Sequence, residues 1–290
     1  MKISRIRIFR ADLPMVEGSY SWSTQSHAGF DTTVVLVDTD EGLTGVGECC
    51  PLGPTYLPAY AHGVRAGIAQ LAPHLIDKDP TQLDRINHLM DTQLKGHPYV
   101  KSAIDMACWD ILGKATGLPV YVLLGGKLQE KVTLYKVVSR ADPNAMAERI
   151  PEYRDKGFHQ FQVKVGEDPS TDIIRIHRVA EEMEAGEVLN ADANTGWKQH
   201  EALQVAHGIA DIGKQTGIRL TFEQPCLSYH ECLAVRQHTN LPFVLDECMD
   251  SINALLQAQH DHAMDMINLK ISRFGGITRA RQVRDLCVSL

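Results

Sequence analysis

The sequence predicts an α/β protein in two parts, an N-terminal α+β domain over residues 1–125 and a series of parallel βα units over residues 126–290. Three observations predict it. From about residue 133 onward, short apolar runs alternate with amphipathic helical patterns, as in a parallel sheet covered by helices. Five of these runs end on a charged residue: Phe161-Gln-Val-Lys164, Val188-Leu-Asn-Ala-Asp192, Leu220-Thr-Phe-Glu223, Phe243-Val-Leu-Asp246 and Met266-Ile-Asn-Leu-Lys270. The charges recur at steps of 28, 31, 23 and 24 residues, the length of a strand, a helix and two loops. The first part follows another grammar, with strand patterns first and helical patterns after them.

Taken in order, residues 2–10, 32–39 and 43–48 read as strands of an antiparallel meander, the last two joined by a tight turn at Asp40-Glu41-Gly42. The stretch from Glu17 to Phe30, with Tyr20, Trp22 and His27, is too long for a hairpin turn. It is expected to be a mobile lid or a disordered insertion. Gly47 to Tyr56 is rich in Pro and Gly and reads as a loop. Helical patterns cover 58–76, 80–94 and 98–116, the last stopped by Gly117-Leu-Pro119. Strands then start near 133, 160, 187, 219, 242 and 265, and Gly275-Gly276 opens the sixth helix. A closed barrel of this kind needs eight units. The expectation is therefore a (β/α) TIM-like barrel truncated after six units, in a piece of a longer protein, with an open sheet as the alternative.

Parallel strands in such an array bring their C-terminal ends to one face, where these folds build their sites. Asp192, Glu223 and Asp246 would converge there and repel one another unless a cation neutralised them. An all-oxygen donor set suits a hard ion such as Mg²⁺. Lys164 and Lys270 flank the carboxylates, and a lysine close to a cation and partly desolvated has a lowered pKa, so the two read as general bases. Blander roles compete. Each lysine alone could be a surface residue at a strand end, and Asp192 and Asp246 could cap the helices that follow. Glu223, before Gln224-Pro225, is hard to read as a cap, and five charges in register favour a site.

The chain has 290 residues, enough to bury a sizeable core, with 44% hydrophobic and 22% charged residues. A net charge of −7 without a basic cluster argues against nucleic acid and against an anionic membrane surface as partners. No apolar run approaches the roughly 20 residues of a membrane span, and the start reads as a strand without a signal-peptide core. Seven cysteines without a CxxC spacing point to free thiols and a cytoplasmic location, with no vicinal disulfide at Cys49-Cys50. The thirteen histidines form no metal-binding pair. Asp105 and Asp110, among apolar helical neighbours, read as structural.

The segment Lys101-Ser-Ala-Ile-Asp-Met-Ala-Cys-Trp-Asp-Ile-Leu-Gly-Lys114, followed by Gly117 to Gly126, resembles the linker-helix signature of the enolase superfamily, mandelate racemase and muconate lactonizing enzyme branch. The series Lys164, Asp192, Glu223, Asp246, Lys270 matches that branch's order of base, three metal ligands, base. The resemblance implies an α+β capping domain over a (β/α) barrel and one Mg²⁺ per site, with Mn²⁺ as a substitute. It also implies proton abstraction next to the carboxylate of a small-molecule substrate, by lysines facing each other across the ring. Asn194 and Glu247 would support the metal or face the substrate, and Tyr20, Trp22 and Tyr56 would line the pocket. Gln162 departs from the pattern, standing where many members carry a further lysine. The loop Gly47 to Tyr56 is similar to that of enzymes acting on proline derivatives, the cis-3-hydroxy-L-proline dehydratases and, less closely, the hydroxyproline betaine epimerases. Dehydration of such a hydroxyproline is the first expectation. Epimerisation of a betaine or another amino-acid derivative, or an inactive truncated fragment, are the alternatives. The family habit implies a homo-oligomer.

Overall fold

The computed structural model describes residues 1–16, 18–23 and 25–290. It forms two compact units, one of Met1–Pro14, Gly29–Glu130 and Leu269–Leu290, the other of Met15–Ala28 and Lys131–Asn268. In chain order the first strands are β1 (Ile3–Pro14), β2 (Tyr20–Trp22), β3 (Gln25–His27), β4 (Gly29–Thr39) and β5 (Thr44–Cys49). Four helices follow: α1 (Ala61–Leu75), α2 (Leu83–Gln93), α3 (Pro98–Thr116) and the short α4 (Val120–Leu123). The alternating part then runs β6 (Lys136–Val138), α5 (Pro143–Asp155), β7 (Gln160–Lys164), α6 (Pro169–Glu181), β8 (Val188–Asp192), α7 (Gln199–Ile209) and α8 (Ile212–Thr216). It continues through β9 (Arg219–Glu223), α9 (Tyr229–Arg236), β10 (Phe243–Leu245), α10 (Ile252–His260) and β11 (Met266–Ile267) to α11 (Ile271–Phe274) and α12 (Ile277–Ser289).

In the first unit, β1, β4 and β5 form the predicted antiparallel meander in the order β1-β4-β5. Val64, Ile68, Leu71 and Leu75 make one stripe along α1, at the spacing a helix needs to present a single face. That stripe joins Ile86, Met90, Val100, Ile104 and Ile111 over Ile3, Val35 and Val37 in one buried core. α3 ends where the sequence predicts, at Gly117 with φ +68°. Asp105 is structural, as expected: it is fully buried and accepts from Thr278 N (3.0 Å), Thr278 Oγ1 (2.6 Å) and Asn87 Nδ2 (2.6 Å).

The helix α3 lies directly on β5, and two glycines permit it. A Cβ on Gly45 would sit 2.1 Å from the Ala107 carbonyl oxygen, and one on Gly47 would sit 1.8 Å from that of Ala103. Backbone cannot swing aside as a side chain can. Gly47→Ala is expected to cost about 1–3 kcal/mol or more, seen as a lower urea midpoint at unchanged slope. A wild-type midpoint would show that the helix can lift away freely.

In the second unit, six parallel strands lie in the order β11-β10-β9-β8-β7-β6, each beside its predecessor in the chain. This is singly wound order, as the regular βα alternation predicts. Side chains alternate across each strand. Phe161, Val163, Leu189, Ala191, Leu220 and Phe222 occupy one face and are all buried, and Phe222 stacks on Trp197 with centroids 5.7 Å apart. The helices start at local caps: Asp142 accepts from Asn144 N (3.0 Å), Asp168 from Thr171 N (2.8 Å), Ser228 from Glu231 N (3.3 Å) and Ser251 from Ala254 N (3.1 Å). Neither Asp192 nor Asp246 caps a helix.

Part of the Glu17 to Phe30 stretch is ordered, against the expectation of a disordered insertion. Glu17 lies outside the described residues. Tyr20–Trp22 and Gln25–His27 pair as a two-stranded antiparallel sheet, with Tyr20 opposite His27. Trp22 is buried and stacks on His27 at 4.7 Å. Ser23 anchors the hairpin, its N–H donating to Val165 O (3.2 Å) and its hydroxyl to Gly166 O (3.2 Å). Stacking and these two bonds supply the order that hydropathy alone did not reveal. All seven cysteines are free, Cys49 and Cys50 included. No helix among the described residues is long and apolar enough to cross a membrane.

Candidate active site

Parallel pairing sets the site. Lys164 on β7 is in register with Asp192 on β8, and Asp192 with Glu223 on β9. All three are buried, at 4%, 1% and 1% exposure, so their charges act on one another with little screening by water. Asp246, fully buried, follows the last residue of β10. Its N–H donates to Gln224 Oε1 at 2.8 Å.

Lys164 Nζ lies 2.5 Å from Asp192 Oδ2 and 5.9 Å from the centroid of the Tyr20 ring. Burial works against the lysine's charge, yet Asp192, with Tyr20 and Glu223, holds its pKa above the ordinary value. The lowering expected for a lysine beside a cation rests on a bound ion; here the charge nearest Lys164 is the Asp192 carboxylate. Burial, with the charges of Asp192 and Asp246, pushes the Glu223 carboxyl up to about 7, against a hydrogen bond from Asn268 and the charge of Lys164. Burial also raises the Tyr20 hydroxyl.

The loop after β8 turns sharply. Asn194 (φ +43°) and Thr195 (φ +68°) are both left-handed, a conformation that costs energy for residues other than glycine. The turn lets Asn194 N donate to Asp192 Oδ1 (2.9 Å) while Asn194 Nδ2 donates to Glu247 Oε1 (2.9 Å). Gln224, also left-handed at φ +34°, is fully buried and links the Glu223 and Asp246 loops. Sequence reasoning passed over it because it reads as an ordinary polar residue before a proline.

Lys164, Asp192, Glu223, Asp246, Asn194, Glu247, Tyr20 and Trp22 belong to one unit, Lys270 and Tyr56 to the other. Lys270 precedes α11, and Tyr56 Oη accepts from Arg273 Nη2 at 3.3 Å. As donors, the three carboxylates fit a hard divalent cation, being oxygen ligands, buried and mutually repelling enough to raise one of them. As they stand, no three His, Cys, Asp or Glu side chains among the described residues are grouped closely enough to hold an ion. Asp192 is turned to Lys164, and Glu223 to the amides of Gln162, Asn190 and Asn268. Binding would require Asp192 and Glu223 to turn from these partners toward a shared ion.

An α+β domain, followed by a singly wound parallel sheet with a buried lysine and three carboxylates at its strand ends, defines an enzyme built to move protons beside a concentrated negative charge. Residues 8–125 match the mandelate racemase/muconate lactonizing enzyme N-terminal domain, and residues 145–290 match the enolase C-terminal domain-like family. The chain belongs to the mandelate racemase/muconate lactonizing enzyme branch of the enolase superfamily. It is 51% identical to the cis-3-hydroxy-L-proline dehydratase of Roseibium aggregatum, over all of this chain and 77% of that protein. It is 31% identical to an N-succinyl-L-Arg/Lys racemase of Bacillus cereus, over 96% of this chain and 74% of the relative. Among solved structures, a member of the enolase superfamily from Roseovarius nubinhibens, complexed with magnesium, superposes with a TM-score of 0.90 at 40% identity, covering 99% of this chain and 76% of that one.

Proposed function

We propose that this chain is a Mg²⁺-dependent hydro-lyase that converts cis-3-hydroxy-L-proline to Δ1-pyrroline-2-carboxylate, with Asp192, Glu223 and Asp246 holding the ion. The observation that carries the reading is the buried row Lys164, Asp192, Glu223 on adjacent strand ends, in a chain half identical over its whole length to such a dehydratase. When bound, the ion would stabilise the negative charge that develops on the substrate carboxylate as the α-proton leaves. Lys164, in its neutral amine form, is the group placed to take and hold that proton, with Lys270 as the second acid/base. The C–O bond to the 3-hydroxyl then breaks, the hydroxyl leaves with a proton as water, and the resulting enamine tautomerises to the imine. Asn194 and Glu247 brace Asp192, while Tyr20 packs over Lys164. Trp22, beside Tyr20, belongs to the pocket lining in this reading. Further copies of the chain in a symmetric assembly are its protein partners, and the free thiols fit the cytoplasm.

The racemase among its relatives favours one alternative, epimerisation of proline betaine, hydroxyproline betaine or another amino-acid derivative by the same lysine pair. Proton NMR in D₂O with Mg²⁺ separates the two. Appearance of Δ1-pyrroline-2-carboxylate from cis-3-hydroxy-L-proline, abolished by a chelator and restored by Mg²⁺, is the expected result. Exchange of the betaine α-proton without elimination moves the function to epimerase. If neither substrate reacts, the substrate assignment fails.

A further inference from the structure

Below the charged row lies a second polar row. Gln162 is in register with Asn190, and Asn190 with Thr221, each two residues before Lys164, Asp192 and Glu223 and so on the same face of its strand. Asn268 lies just past the end of β11, beyond this row. Three side-chain amides, two from this row and that of Asn268, converge on one carboxylate. Gln162 Nε2 donates to Glu223 Oε2 at 2.9 Å, Asn190 Nδ2 donates to the same oxygen, and Asn268 Nδ2 donates to Oε1 at 2.9 Å. The Thr221 hydroxyl donates to Asn190 Oδ1 at 2.8 Å, fixing which way that amide faces.

A carboxylate has about four acceptor positions, two on each oxygen. Two donors fill Oε2, and one leaves a single position on Oε1. The donors are also neutral. A lysine or arginine in their place would orient Glu223 equally well, but it would cancel the charge needed for a cation. Amides fix the orientation and leave the charge in place. We propose that Gln162, Asn190 and Asn268 are positioning residues that clamp Glu223 so that it presents one oxygen, Oε1, to the divalent cation. This inference rests on Glu223 being a metal ligand.

Titration calorimetry with MgCl₂ on the chelator-treated full chain tests it, with Gln162→Leu, Asn190→Leu, Asn268→Ala and Glu223→Gln compared with wild type. Loss of an amide donor is expected to weaken Mg²⁺ binding by about 10–100-fold, with the near-UV circular dichroism of the metal-free protein unchanged. A purely structural role would change the dichroism and melting and leave affinity alone. Asn190 and Asn268 are only half-buried, so their variants carry the test should Gln162→Leu, at a buried position, fail to fold. If Glu223→Gln weakens Mg²⁺ and the amide variants stay within about twofold of wild type, the clamp is overturned while the metal site stands. If Glu223→Gln leaves binding unchanged, the metal-site reading falls and takes the clamp with it.

Discussion

Replacing Lys164 with alanine is expected to lower the rate of substrate α-proton exchange by about 10²–10⁴-fold, the usual contribution of a positioned acid/base group. Mg²⁺ affinity is expected to hold or improve. The two effects separate because Lys164 Nζ sits 2.5 Å from Asp192 Oδ2, where it competes with a cation for that carboxylate. Removing the side chain takes away the amine that would accept the proton and also frees a ligand. The same substitution leaves Asp192, 1% exposed, without its counter-charge. Metal-free Lys164→Ala should therefore be less stable by about 3–5 kcal/mol, with much of the loss recovered at saturating Mg²⁺. Calorimetric melting with and without MgCl₂, next to NMR exchange in D₂O, reads all three quantities. Exchange within tenfold of wild type would remove Lys164 from the proton transfer. Lys164→Met, which keeps most of the side-chain volume, checks that packing loss is not the cause.

Asp172→Ala is expected to be the most damaging substitution away from the site, costing about 3–5 kcal/mol because it leaves a buried cation without its closest carboxylate. Asp172 is fully buried on α6. Its Oδ1 accepts from Arg175 Nη1 at 2.7 Å, and Oδ2 accepts from Gly166 N (3.0 Å), Glu167 N (2.8 Å) and Trp197 Nε1 (3.1 Å). One carboxylate thus holds the loop after Lys164 and, through Trp197, the loop after Asp192. Loosening both loops is expected to lower turnover on the order of 10²-fold in the protein that still folds, since small displacements of reacting groups are costly. Asp172→Asn keeps an oxygen for the loop amides and should lie between wild type and alanine. Urea unfolding and steady-state turnover measure the two effects. If Asp172→Ala melts and turns over like wild type, the loops are held by their own geometry.

The substitutions differ in how plainly the sequence announces their targets. Lys164, Asp192, Glu223, Asp246 and Lys270 are visible because each ends an apolar run and the runs recur at βα spacing. The end of α3 at Gly117 is visible because glycine and proline act on their own neighbours. Strand order follows from the same alternation, since short right-handed crossovers place each parallel strand beside the last. All these signals are local.

Other features depend on residues far apart in the chain, so tertiary structure alone decided them. The Glu223 clamp joins residues 61, 33 and 45 positions away, and no nearby residue marks Gln162, Asn190 or Asn268 as its members. The Tyr20–His27 hairpin is held by ring stacking and by Ser23 reaching 143 residues ahead to Gly166, a bond no periodicity encodes. Asp192 holds the pKa of Lys164 above its ordinary value against the cost of burial, because the register of β7 on β8 places the two side by side. Periodicity and turn chemistry determined the elements and the identity of the charged residues. The register of parallel strands, fixed by burial of Phe161, Leu189 and Phe222 on one face, decided which polar group meets which on the other.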